Sequence, residues 1–371
     1  MSYEASADAP LACSVCGEPM VPADRWCEVC GAALSTPSLA TTTADADIGD
    51  TWRPINAATP ADTGPTDVTV DRWVDGPGPG RGTCPDCGRP IVDGDGWCDR
   101  CPGRSAQVHD HRELVDGPVA AVTDQGSSHW RNEDAVGVRW VEGDPAGFVL
   151  VVCDGVSVSQ DPHLVSRAAV DSALHVLTGA VAAGGDLGAA MAVATAAAQA
   201  AAAAVPYDPS LDVGPGACTF VAAAVRGARA AFASVGDSRA YWVDAHGAMQ
   251  IGDDDSLATE MMASGNLTAA QVMDRPGAHT LTGWLGVDST EVEPAVTTTE
   301  LPGAGLVVLM SDGLWTYAPN LEDMARLIGP VGSETTIALA RRLVAFANAS
   351  GGRDNITVAV GPHSIDGQEG R

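Results

Sequence analysis

Hydrophobic and polar positions divide the chain near residue 117. Before it, apolar residues are scattered singly among Asp, Thr, Pro, Ala and Gly; after it, they gather into runs with the periods of strands and helices. Residues 119–123, 135–141 and 148–153 read as strands, and 163–182 and 186–205 as helices. Three more strands follow at 218–225, 228–235 and 239–243, with Arg226-Gly227 as a hairpin turn. A polar, Met-containing stretch at about 252–286 reads as an insertion. Beyond it, 292–300, 305–310 and 356–360 are expected as strands and 321–328 and 334–348 as helices. Strands in such number, with helices in two blocks, predict a layered α+β sandwich.

The run from Phe148 to Cys153, rich in valine, predicts a strand buried on both faces that stops at Asp154-Gly155. An ionised carboxylate at the end of a buried strand needs compensation. Either the backbone of a turn satisfies Asp154 or the residue ligates a cation.

Composition narrows the choice. The chain has 371 residues, 45% of them hydrophobic, enough for one large core plus small additions. Its net charge of −28 argues against a duplex nucleic-acid binder, which must neutralise phosphates. All 20 basic residues are arginine, which excludes a P-loop lysine, a Schiff-base lysine and a Ser-x-x-Lys nucleophile. Glu4 and Asp8 stand where a secretory signal would be basic and then apolar, and the alanine-rich 187–205 is interrupted by Thr195 and Gln199. A cytoplasmic protein without a membrane span is therefore expected.

The cysteines support that compartment. Cys13, Cys16, Cys27 and Cys30 form Cys-x2-Cys, ten residues, Cys-x2-Cys, and Cys84, Cys87, Cys98 and Cys101 repeat the pattern 71 positions later, together with Gly17/Gly88, Pro19/Pro90 and Trp26/Trp97. Two such knuckles supply a four-thiolate tetrahedral shell for zinc, and segments this short need the metal in order to fold. They resemble tandem zinc ribbons, at 11–32 and 83–103. Acidic flanks favour a protein partner over nucleic acid. Residues 33–82, which carry Trp52 and Trp73, and 104–116, which carry His109 and His111, read as linkers. Cys153 and Cys218, in apolar strands, read as small core residues.

Acidic residues recur at strand ends. Asp154 follows VLVVC, Asp312 follows GLVVLM, Asp237 follows AFASV, Glu133-Asp134 opens AVGVRWV, and Asp354 precedes ITVAV. Turns favour Asp, so each alone is ordinary. Together, in a chain without lysine, they point to a hard cation with oxygen ligands, Mg²⁺ or Mn²⁺ before zinc.

Thr123-Asp124-x-Gly126, Asn132-Glu133-Asp134-Ala135, Asp154-Gly155, Gly236-Asp237-Ser238-Arg239, Ser311-Asp312-Gly313-Leu314-Trp315 and Asp354-Asn355-Ile356-Thr357 stand in the order and approximate spacing of the metal-dependent protein serine/threonine phosphatases of the protein phosphatase 2C type, which the stretch from Val119 to Val360 resembles. The resemblance implies a four-layer α-β-β-α sandwich over about 117–362, followed by a tail at 363–371. It also implies two Mn²⁺ or Mg²⁺ ions, with a weaker third. By the same resemblance Asp154 bridges the metals, the Gly155 carbonyl binds one, Asp312 and Asp354 complete the other shell, and Asp237 serves the third. Glu133 and Asp134 would hold metal-bound waters. Two cations about 4 Å apart activate water and clamp a phosphoryl group.

Two departures from the family stand out. His129 occupies the position of the phosphate-gripping arginine, and a histidine lacks the bidentate fork of a guanidinium; Arg131, on the same side of an extended segment, is the candidate substitute. After Asp154-Gly155, where many relatives carry a histidine, the chain has Val156-Ser157-Val158-Ser159 and no general acid of suitable pKa. His279 reads as a packed residue. The expected function is hydrolysis of phosphoserine and phosphothreonine in proteins, with the ribbons recruiting a partner, and a serine/threonine kinase or its targets as the natural associates of such an enzyme. The alternative is a phosphatase-like binding protein that lost turnover with its arginine.

Overall fold

The computed structural model describes residues 11–12, 19–20, 110–263, 277, 280–289 and 292–364. The eight knuckle cysteines, His109, His279, Trp52 and Trp73 lie outside the described residues. The chain divides into two units, Met1–Val74 and Asp75–Arg371. In the first, the short strands β1 (Leu11–Ala12) and β2 (Pro19–Met20) pair antiparallel.

The second unit is built on two antiparallel sheets. One has the order β11-β10-β14-β15-β4-β3, from Gly247–Ile251, Arg239–Asp244, Gly305–Met310, Ile356–His363, Val119–Asp124 and His111–Asp116. The other has the order β13-β9-β8-β6-β5, from Ala295–Glu300, Arg229–Val235, Phe220–Arg226, Gly147–Cys153 and Ala135–Val141. A two-stranded ribbon joins β7 (Ala217–Cys218) to β12 (Leu285–Gly286).

Period-2 alternation explains the packing, because successive side chains leave a strand on opposite faces. Phe148, Leu150 and Val152 of β6 join Val307 and Leu309 of β14, Val119 and Ala121 of β4 and Trp242 of β10 in the core between the sheets. The alternate set of the six-stranded sheet, Val122, Tyr241, Val308, Met310 and Val358, packs on Met324 and Ile328 of α5 (Leu321–Ile328) and Leu339 and Leu343 of α6 (Thr336–Ala349). Helices α1 (Pro162–Ala183) and α2 (Leu187–Ala203) pack on each other and on the five-stranded sheet. Alanine and glycine let them approach: a Cβ on Gly137 of β5 would lie 2.9 Å from Val170 and Leu174 of α1. Asp186 caps α2 by accepting from the Ala189 N–H at 3.0 Å.

Several elements differ from the sequence reading, among them strand β11 and the short helix at Asp312–Trp315, which it did not contain. Residues 111–116, expected as linker, form the edge strand β3, whose alternating exposure marks an edge, and His111 is bonded to Asp124 at 2.7 Å. The expected strand 218–225 is broken at Thr219, which turns its hydrogen bonds toward Asp154. Of the insertion, 257–263 form helix α3, while Leu285–Gly286 return to the body through β12.

Candidate active site

Strand register gathers the acidic turns at one end of both sheets. Ala135 of β5 faces Cys153 of β6, Arg239 of β10 faces Met310 of β14, and Ile356 of β15 faces Asp124 of β4. Glu133-Asp134, Asp154, Asp237, Asp312 and Asp354 therefore all leave their strands at the same end. The two sheets are joined there, because the Ser311 hydroxyl donates to Asp134 Oδ2 at 2.8 Å.

Buried neutral groups hold each turn. The Asp154 N–H donates to Thr219 Oγ1 at 3.0 Å, and the Thr219 N–H returns a bond to the Asp154 carbonyl at 2.8 Å. Thr219 is in turn 2.7 Å from the Ser238 hydroxyl, and Trp315, on the short helix α4 (Asp312–Trp315), donates to the Asp237 carbonyl at 2.9 Å. The Asn355 side chain accepts from the Glu133 N–H at 2.7 Å and donates to the carbonyls of Gln125 and Arg131 at 2.9 and 3.0 Å. Glycines let these turns close up. A Cβ on Gly313 would lie 2.0 Å from the Asn355 carbonyl oxygen, and one on Gly126, at φ +73°, would lie 2.1 Å from that of Asp354.

The carboxylates feel one another. Asp154 is raised well above the usual carboxylate range, first by burial and then by the charges of Asp134, Asp312, Asp354 and Asp237. Asp354 rises through burial, then Asp312 and Asp134; solvent reaching its 41% exposed side chain moderates the effect. Asp237 rises through burial, Asp312 and Asp254, against Arg239, which stacks on Trp315 at 3.5 Å and is forked onto Asp254 at 2.7–3.1 Å. Asp134 moves up to about 6, mainly by burial. Its Oδ1 is buried and receives no hydrogen bond.

Like charges crowded this way favour a divalent cation, and an all-oxygen donor set suits Mg²⁺ or Mn²⁺. Among the described residues, no three His, Cys, Asp or Glu side chains close into a ready-made metal shell. The fit is one of donor chemistry and shared position.

The two candidates for phosphate binding separate. His129 approaches Asp354, Nε2 to Oδ1, at 3.2 Å, and burial lowers its pKa. Arg131 instead contacts the His163 ring at 2.7 Å, at the start of α1, and lies 4.6 Å from the centroid of the half-exposed Trp130. Cys153 and Cys218 are buried and free, and burial pushes the Cys153 thiol up, away from reactivity. Residues the sequence did not single out are Thr219, Ser157, Ser166 and His163. Single threonines, serines and histidines carry no pattern that would mark them.

The chain is similar to known proteins. Residues 125–338 match the family model of protein phosphatase 2C. The serine/threonine phosphatase stp of Listeria monocytogenes is 28% identical over 254 residues, covering 67% of this chain and 96% of that protein. Among solved structures, the serine/threonine phosphatase PstP/Ppp of Mycobacterium tuberculosis is similar with a TM-score of 0.57 at 28% identity, covering 67% of this chain and 98% of that one. The catalytic domain of PstP in complex with two manganese ions is similar with a TM-score of 0.51 at 28% identity, over 67% and 98% of the two chains.

Proposed function

Because the chain belongs to the protein phosphatase 2C family of serine/threonine protein phosphatases, we propose that it hydrolyses phosphoserine and phosphothreonine in proteins at the end of the sandwich where its acidic turns meet. The observation that carries this reading is the gathering of the acidic turns of Asp134, Asp154, Asp237, Asp312 and Asp354 at one end of the two sheets. Asp154, the Gly155 carbonyl, Asp312 and Asp354 would hold a pair of Mn²⁺ or Mg²⁺ ions, and Asp237 a third. When bound, the metals supply an activated water and neutralise phosphoryl charge. Glu133 and Asp134 orient the water. His129, 3.2 Å from Asp354, stands where the family has its arginine, so the chain lacks that guanidinium fork and the grip on phosphate would fall to the cations. In this reading the sheets and their flanking helices form the family's α-β-β-α sandwich. The chain's substrates are phosphoproteins, and a serine/threonine kinase or its targets fit as associates.

The N-terminal cysteine knuckles are two structural zinc sites in this reading, with Cys13, Cys16, Cys27 and Cys30 at one and Cys84, Cys87, Cys98 and Cys101 at the other, and they recruit a protein partner. Strands β1 and β2, which pair on either side of Cys13 and Cys16 in sequence, support a knuckle there. No helix among the described residues is long and apolar enough to cross a membrane.

Purified full-length protein should release phosphate from a phosphothreonine peptide with Mn²⁺ and not with EDTA, and elemental analysis should give two tightly held zinc atoms per chain. Mn²⁺ that leaves the rate at background would favour a binding protein with this fold, and a zinc-free folded chain would remove the ribbons.

Proton linkage gives a second test. Folding raises Asp134 from a carboxylate's ordinary value near 4 to about 6, so the metal-free folded state binds more protons than the unfolded chain between those values. Stability from this group is present below about pH 4 and is lost as pH rises through about 6, by up to roughly 3 kcal/mol. A divalent cation favours the ionised carboxylates and offsets the loss. The Mn²⁺-induced rise in melting temperature should therefore be larger at pH 7.5 than at pH 5.5; equal shifts would contradict a cation seated among these groups.

A further inference from the structure

The segment Val156 to Ser159 offers no side chain that titrates near neutrality, yet the structure uses its two hydroxyls for different tasks. Ser159 fastens the turn. Its N–H donates to the Val156 carbonyl at 2.9 Å, its Oγ donates to the same carbonyl at 2.6 Å, and the Ala217 N–H donates to that Oγ at 3.1 Å. The Val156 N–H donates to the Ala217 carbonyl at 2.9 Å and the Gln160 N–H to that of Gly214 at 3.0 Å. Ser157 is thus carried between anchored neighbours.

From that position the Ser157 hydroxyl donates to Glu133 Oε2 at 2.5 Å, and Glu133 is 6% exposed. The main chain of Glu133 is already held at both polar groups: its N–H by Asn355 at 2.7 Å, its carbonyl by the Ser166 hydroxyl of α1 at 2.6 Å. The Ser157 bond adds a directed hold on the carboxylate at the end of this flexible side chain. A hydroxyl bonded to a carboxylate makes a short, charge-assisted contact that fixes orientation as well as charge.

We infer that Ser157 is a positioning residue for hydrolysis, holding the Glu133 carboxylate in the orientation that the attacking water requires. The inference rests on the phosphatase reading above. Ser157 transfers no proton and touches no substrate; its effect is on the geometry of a second residue, where misplacement by an ångström costs rate and not binding.

The test is steady-state kinetics of the full chain with Mn²⁺ and p-nitrophenyl phosphate, comparing wild type, Ser157→Ala and Ser157→Thr, with melting curves in EDTA. Ser157→Ala should lower kcat roughly tenfold to a hundredfold, the effect of one bond to a charged group. KM should stay within about twofold, since ground-state binding is untouched. The melting temperature should stay within about 2 °C. Ser157→Thr, which keeps the hydroxyl, should retain at least about a third of wild-type kcat. A wild-type kcat in Ser157→Ala, a Thr variant as slow as Ala, or a loss of rate matched by a fall in melting temperature would each overturn the assignment. A wild type without turnover would remove the phosphatase reading and this inference with it; an active wild type beside an equally active Ser157→Ala would remove the inference alone.

Discussion

Replacing Asp154 by asparagine should lower Mn²⁺-dependent phosphate release roughly a thousandfold, the scale expected when a central electrostatic element of a hydrolytic site is lost. The same change should raise the melting temperature of the protein in EDTA. Both effects come from one cause. Asp154 is surrounded by the charges of Asp134, Asp312, Asp354 and Asp237, which without a cation disfavour its ionised form. A neutral amide of equal size removes that repulsion. The fold should tolerate it, because the contacts that place residue 154 run through its main chain to Thr219. Relief of about 1 kcal/mol corresponds to roughly 2–4 °C for a unit of this size. Phosphate release from a phosphothreonine peptide and melting curves in EDTA check the two halves. Undiminished turnover would remove Asp154 from the chemistry, and a lower melting temperature would make its carboxylate a structural acceptor instead.

Asn355→Ala is expected to have the largest effect on stability, about 3–5 kcal/mol by urea denaturation. The Asn355 side chain is buried and makes three bonds to the main chain, at Glu133, Gln125 and Arg131, in segments more than 220 positions away in sequence. Alanine would leave a buried N–H and two carbonyls without this partner, and water cannot readily reach them. Turnover should fall as well, because Asn355 fixes the main chain of Glu133. A cost below about 1 kcal/mol would mean that the turn relaxes and finds other partners.

The sheets were legible where strands are buried on both faces. β5, β6 and β14 stand within a residue of their sequence reading, because long apolar, β-branched runs have few alternatives to a central strand. β3 was not legible. HRELVD alternates as an edge strand does, but its polar half made it resemble the acidic linker before it, and its strand character comes from pairing with β4. The short helix α4 and strand β11 were missed for a related reason: four or five residues carry too little period to register, and they are held by contacts distant in sequence, α4 through the buried Leu314 and Trp315 and β11 by pairing with β10.

Chemistry followed the same division. Asp154, Asp312, Asp237, Asp354 and the pair Glu133-Asp134 stood out in sequence because a carboxylate at the end of an apolar run is costly without compensation. Arg131, two positions from His129 and on the same side of an extended segment, read as the substitute for the phosphate-gripping arginine that His129 replaces. In space one lies against His163 and Trp130 and the other, half-buried, lies 3.2 Å from Asp354. Local spacing gives the side on which a residue leaves the chain and says nothing of what waits there.

The order of residues by itself determined which doubly buried segments are strands, which turns are acidic, and that no lysine is present to neutralise them. Only the tertiary structure decided that six acidic residues from five turns meet at one end of the sandwich, and that Thr219, Ser157, Ser166 and Asn355 hold them. The reason is physical. Burial and hydrophobic period are written along the chain, whereas mutual repulsion of charges and the bonds of small polar side chains depend on distances that exist only after strands far apart in sequence have paired.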